Sequence, residues 1–172
     1  MVKIIKGDTM FYINLFFIFS IIGYFLESVT MYLLKIDYNS SVLYGPWTSI
    51  YGMAIFVMII VYLIIKKFDL KNRKEKIFYF LAVAFVLTIL EGASGYVIEF
   101  TQNKVYWNYD AFKFNIGHYM SLEIALLWGG LATFAMYYIV PKIKNFVNKI
   151  PKIVTYITIV LFIIDIVISF IL

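Results

Sequence analysis

Five apolar runs divide the chain, at residues 10–34, 45–65, 77–100, 119–140 and 153–172. A helix that crosses a bilayer needs about 20 predominantly apolar residues, and these runs meet or approach that length. Short lysine-rich pieces separate them, so the apolar content is patterned rather than a general excess. Hydrophobic residues make up 63% of the 172 and charged residues 15%, where a soluble domain has about half and about a quarter. The second run is the shortest: its unbroken part is Ile50–Ile65, and the chain is expected to enter it at an angle around Gly45-Pro46. The predicted fold is all-α, a polytopic integral membrane protein with a bundle of about five transmembrane helices in a single transmembrane domain (1–172).

The basic residues give this bundle a direction. Lys3 and Lys6, the stretch Lys66–Lys76, and Lys142, Lys144, Lys149 and Lys152 put twelve Lys and Arg on one side. Lys35, Lys104 and Lys113 put three on the other. Short loops rich in Lys and Arg stay in the cytoplasm, so the N-terminus is expected inside and the C-terminus outside, in a multi-pass protein of the plasma membrane. The net charge of +5 flanks apolar runs, which makes anionic lipid its natural counterpart and leaves nucleic acid out. There are no cysteines, which excludes disulfides and thiolate chemistry. The first run is too long for a signal-peptide core and carries Glu27, so it reads as a helix that stays.

Acids inside such runs are costly and usually face a bundle interior or a water-filled cavity. Glu27, Glu91, Glu99, Glu123 and Asp165 all lie within the predicted spans, in the outward half or near the midplane. At about 1.5 Å per residue, Glu91 sits roughly 14 Å below the outer end of its helix, and Glu27 and Asp165 roughly 10 Å. A carboxylate there takes up a proton or meets a cation; Lys35, Lys104 or Lys113 folding inward would be a third solution. Ser20, Gly23 and Glu27 form one helical stripe, and Glu91, Gly95 and Glu99 a second. Gly129, Gly130 and Ala132 offer the fourth helix a small face for close packing. Asp165 is expected to be a lone helix–helix contact.

The outer loops, YNSSVLYGPWTSIYG and TQNKVYWNYDAFKFNIGHYMS, are rich in Tyr, Trp, Asn and Gly. Aromatic residues gather at membrane interfaces; the Gly-Pro and the Asn and Asp residues add the expectation of ordered loops over the mouth of the bundle. His118 is expected to begin the fourth helix as an interfacial hydrogen-bonding residue, and no spacing of ligands points to a metal. Phosphate-loop, dinucleotide, nucleophile-elbow and H-E-x-x-H patterns are all absent. The chain therefore cannot be its own ATPase, and no cofactor is expected.

Several motifs resemble a known family. These are Gly23-Tyr-Phe-Leu-Glu27, the loop GPWTSIYGMA from Gly45, and Leu90-Glu91 through Gly95 to Glu99. Trp107-Asn108-Tyr109-Asp110, and Asn115-Ile-Gly117-His118 leading to Trp128-Gly129, complete the set. Over about residues 12–140 the pattern is similar to the putative ABC-transporter type IV (CmpB-like) family of small bacterial membrane proteins. The chain departs from that pattern with Ser49 for proline, Ala54 for glycine, Asn108 for aspartate and His118 for arginine. The resemblance implies a transport permease.

The leading expectation is a transport component with an outward-facing polar pocket lined by intramembrane carboxylates. Its substrate-binding residues would be Glu27, Glu91, Glu99, Tyr51, Trp107, Tyr109, Asp110, Asn115, His118 and Glu123. Energy would come from a separate ATPase or other membrane subunit, and because five short helices make a thin transport path, a homo-oligomer is a further expected partner. The alternatives are a membrane enzyme acting on a lipid or lipid-linked substrate at the outer leaflet, and a structural or regulatory subunit. The balance leans away from an enzyme.

Overall fold

The computed structural model describes residues 7–34 and 43–171. Lys3, Lys6 and Lys35, which enter the orientation argument, lie outside the described residues, as does the start of the first outer loop. The helices are α1 (Thr9–Leu34), α2 (Ser49–Lys66), α3 (Asn72–Gln102), α4 (Leu122–Phe134), α5 (Val140–Asn148) and α6 (Lys152–Ile171). A π-helical turn, Ala135–Ile139, joins α4 to α5, and a two-stranded hairpin, β1 (Asn115–Ile116) and β2 (Met120–Ser121), precedes α4. Among the described residues five helical stretches are long and apolar enough to cross a membrane: Thr9–Val29, Ser49–Lys66, Asn72–Gln102, Leu122–Asn148 and Lys152–Ser169. That is the pattern of an all-helical, multi-pass membrane protein.

The boundaries differ from the sequence expectation where local chemistry intervenes. Residues 43–48 are irregular, and α2 starts only at Ser49. α3 begins at Asn72, so Glu75, which sequence places in a lysine-rich loop, stands in its first turn. α3 ends at Asn103, whose left-handed backbone (φ 52°) turns its N–H onto the Glu99 carbonyl, a termination that Asn tolerates. His118 does not begin the fourth helix. The Asn115↔Ser121 and Ile116↔Met120 pairing takes up that stretch, with Gly117 at φ 62° in its turn. Ser121 then caps α4, its Oγ accepting the Ile124 N–H at 3.1 Å. Pro141 would be expected to stop the helix. The helix continues to Asn148 because the turn before Pro141 is widened, with the Val140 N–H reaching back to the Ala135 carbonyl in the five-residue step of a π-bulge.

The described residues divide into two compact units, one of residues 7–34, 43–56 and 142–171 and one of Val57–Pro141. In the first, the expected α1 stripe is a packing seam. Glu27 faces Thr48, Gly23 lies under the Tyr51 ring, and Ser20 lies against Gly52. Thr48 also donates its N–H to the Ser20 carbonyl at 3.0 Å. Buried Asn14 accepts the Thr155 hydroxyl at 2.8 Å, joining α1 to α6, and Phe16, Phe17 and Trp47 each meet the Phe162 ring edge to face. In the second unit, Gly92 and Gly95 of α3 seat Met120 and Tyr119 of the hairpin, and Gly129 of α4 lies on Ala84 and Phe80. Gly130, expected on the same small face, has nothing within 4 Å.

These contacts give a direct packing test. A Cβ on Gly52 would stand 2.7 Å from the Phe16 carbonyl oxygen, and backbone cannot swing aside. Gly52→Ala should cost about 1–3 kcal/mol through overpacking, read as a lower thermal midpoint in detergent. Gly130→Ala, facing open space, should be neutral or raise stability by roughly 0.5–1 kcal/mol. Equal behaviour of the two variants would refute the seam.

Candidate functional site

The polar residues singled out by sequence fall into both units, and the larger group is in the second. There the segment from Asn103 to Ser121 connects α3 to α4 and folds back over them. Four bonds lay it down. Tyr109 donates its hydroxyl to Glu91 Oε1 at 2.7 Å, and Tyr119 donates its hydroxyl to Glu99 Oε2 at 3.0 Å. The Tyr109 N–H bonds to the His118 carbonyl at 2.7 Å, and the Leu122 N–H to the Phe114 carbonyl at 3.0 Å. The second oxygen of Glu91 accepts the indole N–H of Trp128, on α4, at 3.0 Å. A carboxylate part-way along a membrane-spanning helix is thus held at both oxygens by neutral donors from two other elements.

In the same connection His118 Nδ1 lies 2.8 Å from Asp110 Oδ1, with both side chains about half exposed. Asp110 is further tied by Asn108, whose amide donates to Oδ2 at 2.9 Å and whose oxygen accepts the Asp110 N–H at 2.6 Å. The Asn108 amide and the His118 ring together hold the Asp110 carboxyl below the usual carboxylate range. Asn115 donates to the Gly117 carbonyl at 3.3 Å, a bond within the turn. Glu123 Oε1 accepts the Phe114 N–H at 3.2 Å. Trp107 packs edge to face on buried Tyr119 at 5.6 Å. Trp107 Nε1 and Glu123 Oε2 are buried atoms without a hydrogen-bond partner among the described residues, so one donor and one acceptor here are unspent.

Of the three lysines that could fold inward, the two among the described residues are not drawn onto these acids. Lys113 lies over the Phe114 ring at 5.4 Å, Lys104 is exposed, and Lys35 is outside the described residues. Among the described residues no group of three or more His, Cys, Asp or Glu could hold a metal ion.

Glu27 and Tyr51 belong to the first unit, Glu27 with Thr48 Oγ1 at 3.5 Å and Tyr51 on Gly23. Sequence reasoning undervalued Asp165 in the same unit. Its carboxylate accepts the Trp47 indole N–H at 2.6 Å, the Gly45 N–H at 2.9 Å and the Tyr44 N–H at 3.2 Å. It is therefore a loop anchor and not a helix–helix contact. The signal was present as one acid in an otherwise apolar helix; its partners, about 120 residues away in sequence, were not. Trp128 and Glu75 were also missed. Glu75 is buried, with Oε2 at 2.7 Å from Lys66 Nζ and Oε1 accepting the Tyr137 hydroxyl at 2.7 Å.

A search of curated proteins and a search of solved structures each found no match to the chain. A family model described as Putative ABC-transporter type IV matches residues 14–170, which carries the resemblance past the fourth span to include Asp165. The chain belongs to that family.

Proposed function

We propose that the protein is a transport component whose polar site centres on Glu91 and opens to the outside of the cell. The observation that carries this reading is the neutral grip on Glu91: Tyr109 and Trp128 orient both oxygens and bring no positive charge. A carboxylate in that setting gains most from a proton or a cationic solute. Glu99, Glu123, Trp107, Asn115 and His118 form its rim, and the unspent Trp107 N–H and Glu123 oxygen give a solute polar contacts on arrival. The Lys and Arg asymmetry supports an N-terminus in the cytoplasm and a C-terminus outside, in the plasma membrane. The family name supports an ATPase partner, which this chain would need because it has no phosphate loop of its own. One transmembrane domain acting as a homo-oligomer completes the proposal.

The test is binding. Purified protein is titrated with a panel of small inorganic and organic cations while its thermal midpoint is followed. A cation that stabilises the wild type should bind Glu91→Gln at least about tenfold more weakly, which corresponds to roughly 1.4 kcal/mol, while the variant still inserts and folds. A panel that binds nothing, or a variant that binds unchanged, overturns the reading.

The Asp110–His118 pair favours a second reading. A histidine oriented by a carboxylate is the base-and-orienter half of an acyl- or phosphoryl-transfer site, here on the side where lipid-linked substrates are exposed. A product formed from such a substrate in detergent without nucleotide would select the membrane enzyme over the transporter.

A further inference from the structure

We propose that Asp110 and His118 form a pH-sensitive clasp that controls how tightly the α3–α4 connection closes over Glu91 and Glu99. The placement is specific. Each clasp residue is the immediate chain neighbour of a tyrosine bonded to an intramembrane acid: Asp110 follows Tyr109, on Glu91, and His118 precedes Tyr119, on Glu99. The Tyr109 N–H to His118 carbonyl bond at 2.7 Å ties the two arms at the same level. Opening the clasp therefore frees the two arms that carry the two phenol donors. The clasp rests on the reading of Glu91 as the acid of the site.

The sign follows from the two ionisations. Histidine changes charge between about pH 5 and 8. When protonated, His118 gives Asp110 a charge-assisted bond, stronger than the bond from a neutral ring. Asp110, held below the usual carboxylate range by Asn108 and His118, stays ionised until the medium is strongly acidic. The clasp is therefore tighter with His118 protonated than with it neutral, so it loosens as the medium becomes less acidic. It also fails at the acid end, once Asp110 takes up a proton. The other titratable groups nearby are Lys104, Tyr106, Tyr109, Lys113 and Tyr119 in the connection, the last with its ring edge to face on His118, Tyr96, Glu91 and Glu99 on α3, and Glu123 on α4. Tyr96 has its hydroxyl against Gly117. The three glutamates are the acids against which the Asp110–His118 pair is tested.

The experiment reads the connection itself and not transport. The chain has no cysteine, so Lys113→Cys places a single spin label on it, followed in full-length protein between pH 5.5 and 8. The mobile fraction should rise about two- to fivefold across that range, the size an exposed ion pair allows. His118→Gln and Asp110→Asn should each flatten the profile, whereas Glu91→Gln, Glu99→Gln and Glu123→Gln should each leave it intact. A flat wild-type profile, a His118→Gln profile that keeps its slope, or a slope lost in any of the three glutamate variants overturns the clasp. A cation panel that fails to bind would defeat the transport reading while leaving this result standing.

Discussion

Replacing Asp165 by alanine should destabilise the protein by about 2–4 kcal/mol, because three N–H groups lose a charged acceptor and the Trp47 indole is left buried without one. The three bonds, from the Trp47 ring and the Gly45 and Tyr44 backbone, are what hold the irregular stretch before α2 in place. α6 exposes Ile157, Val160, Leu161, Ile164 and Ile168 on its flanks and has little else that is polar to offer. Asp165→Asn keeps one acceptor oxygen but turns the other position into a donor facing an N–H, so it should fall between alanine and wild type. The readouts are the thermal midpoint in detergent and the emission of Trp47 in a background where Trp107 and Trp128 are phenylalanine. Loss of the carboxylate should shift that emission to longer wavelength. An alanine variant with the wild-type midpoint and spectrum would show that the loop is held by the aromatic packing of Phe17 and Phe162 on Trp47 and not by the acid.

How much of this was readable beforehand depends on the range of each interaction. The spans were legible because apolar runs of this length admit one solution in a bilayer. The seam of Ser20, Gly23 and Glu27 was legible because three- and four-residue spacing is a local property of one helix. Its partners are Tyr51 and Gly52 on α2 and Thr48 just before it. Gly95 was read only as part of a stripe with Glu91 and Glu99; what packs on it and on Gly92 is a β-hairpin. Periodicity carries no signal for a hairpin of two-residue strands. His118 was misplaced for that reason: the turn at Gly117 and the cap at Ser121 decide where α4 begins, and apolar content runs straight through both. The helix runs on through Pro141 because a widened turn five residues long absorbs it.

A common device emerges within each unit considered by itself. In the second, Tyr109 and Tyr119 bring an irregular connection down onto Glu91 and Glu99; in the first, residues 44–47 bring an irregular stretch onto Asp165. Non-helical backbone at membrane depth persists only where its polar groups are satisfied by protein, and intramembrane acids are the strongest acceptors for them. The acids therefore have a structural part whatever they bind. That is why Glu91→Gln is the informative change at the proposed site: it removes the charge and keeps an oxygen for Tyr109 or Trp128.

Glu75 offers the sharper contrast, since a lysine lies against it within hydrogen-bond distance. Its side chain is 7% exposed and that of Lys66 31%. Tyr137, presented by the π-helical turn, bonds its other oxygen and meets the Tyr62 and Tyr79 rings edge to face at 5.4 Å. Glu75→Ala would leave a partly buried ammonium and a phenol without their acceptor. Breaking a buried pair costs about 3–5 kcal/mol, and the partial exposure of Lys66 brings the expected loss to roughly 2–4 kcal/mol. Lys66→Met alone strands the carboxylate and should cost a similar amount. The double variant Glu75→Gln with Lys66→Met keeps an oxygen for the Tyr137 hydroxyl and removes both charges together, so it should recover most of the loss. A double-mutant cycle on detergent unfolding measures this directly. A coupling of at least about 1 kcal/mol marks one interacting cluster. Simple additivity would mean that the α2–α3 hairpin is set by its five-residue turn and aromatic packing, with the ion pair contributing little.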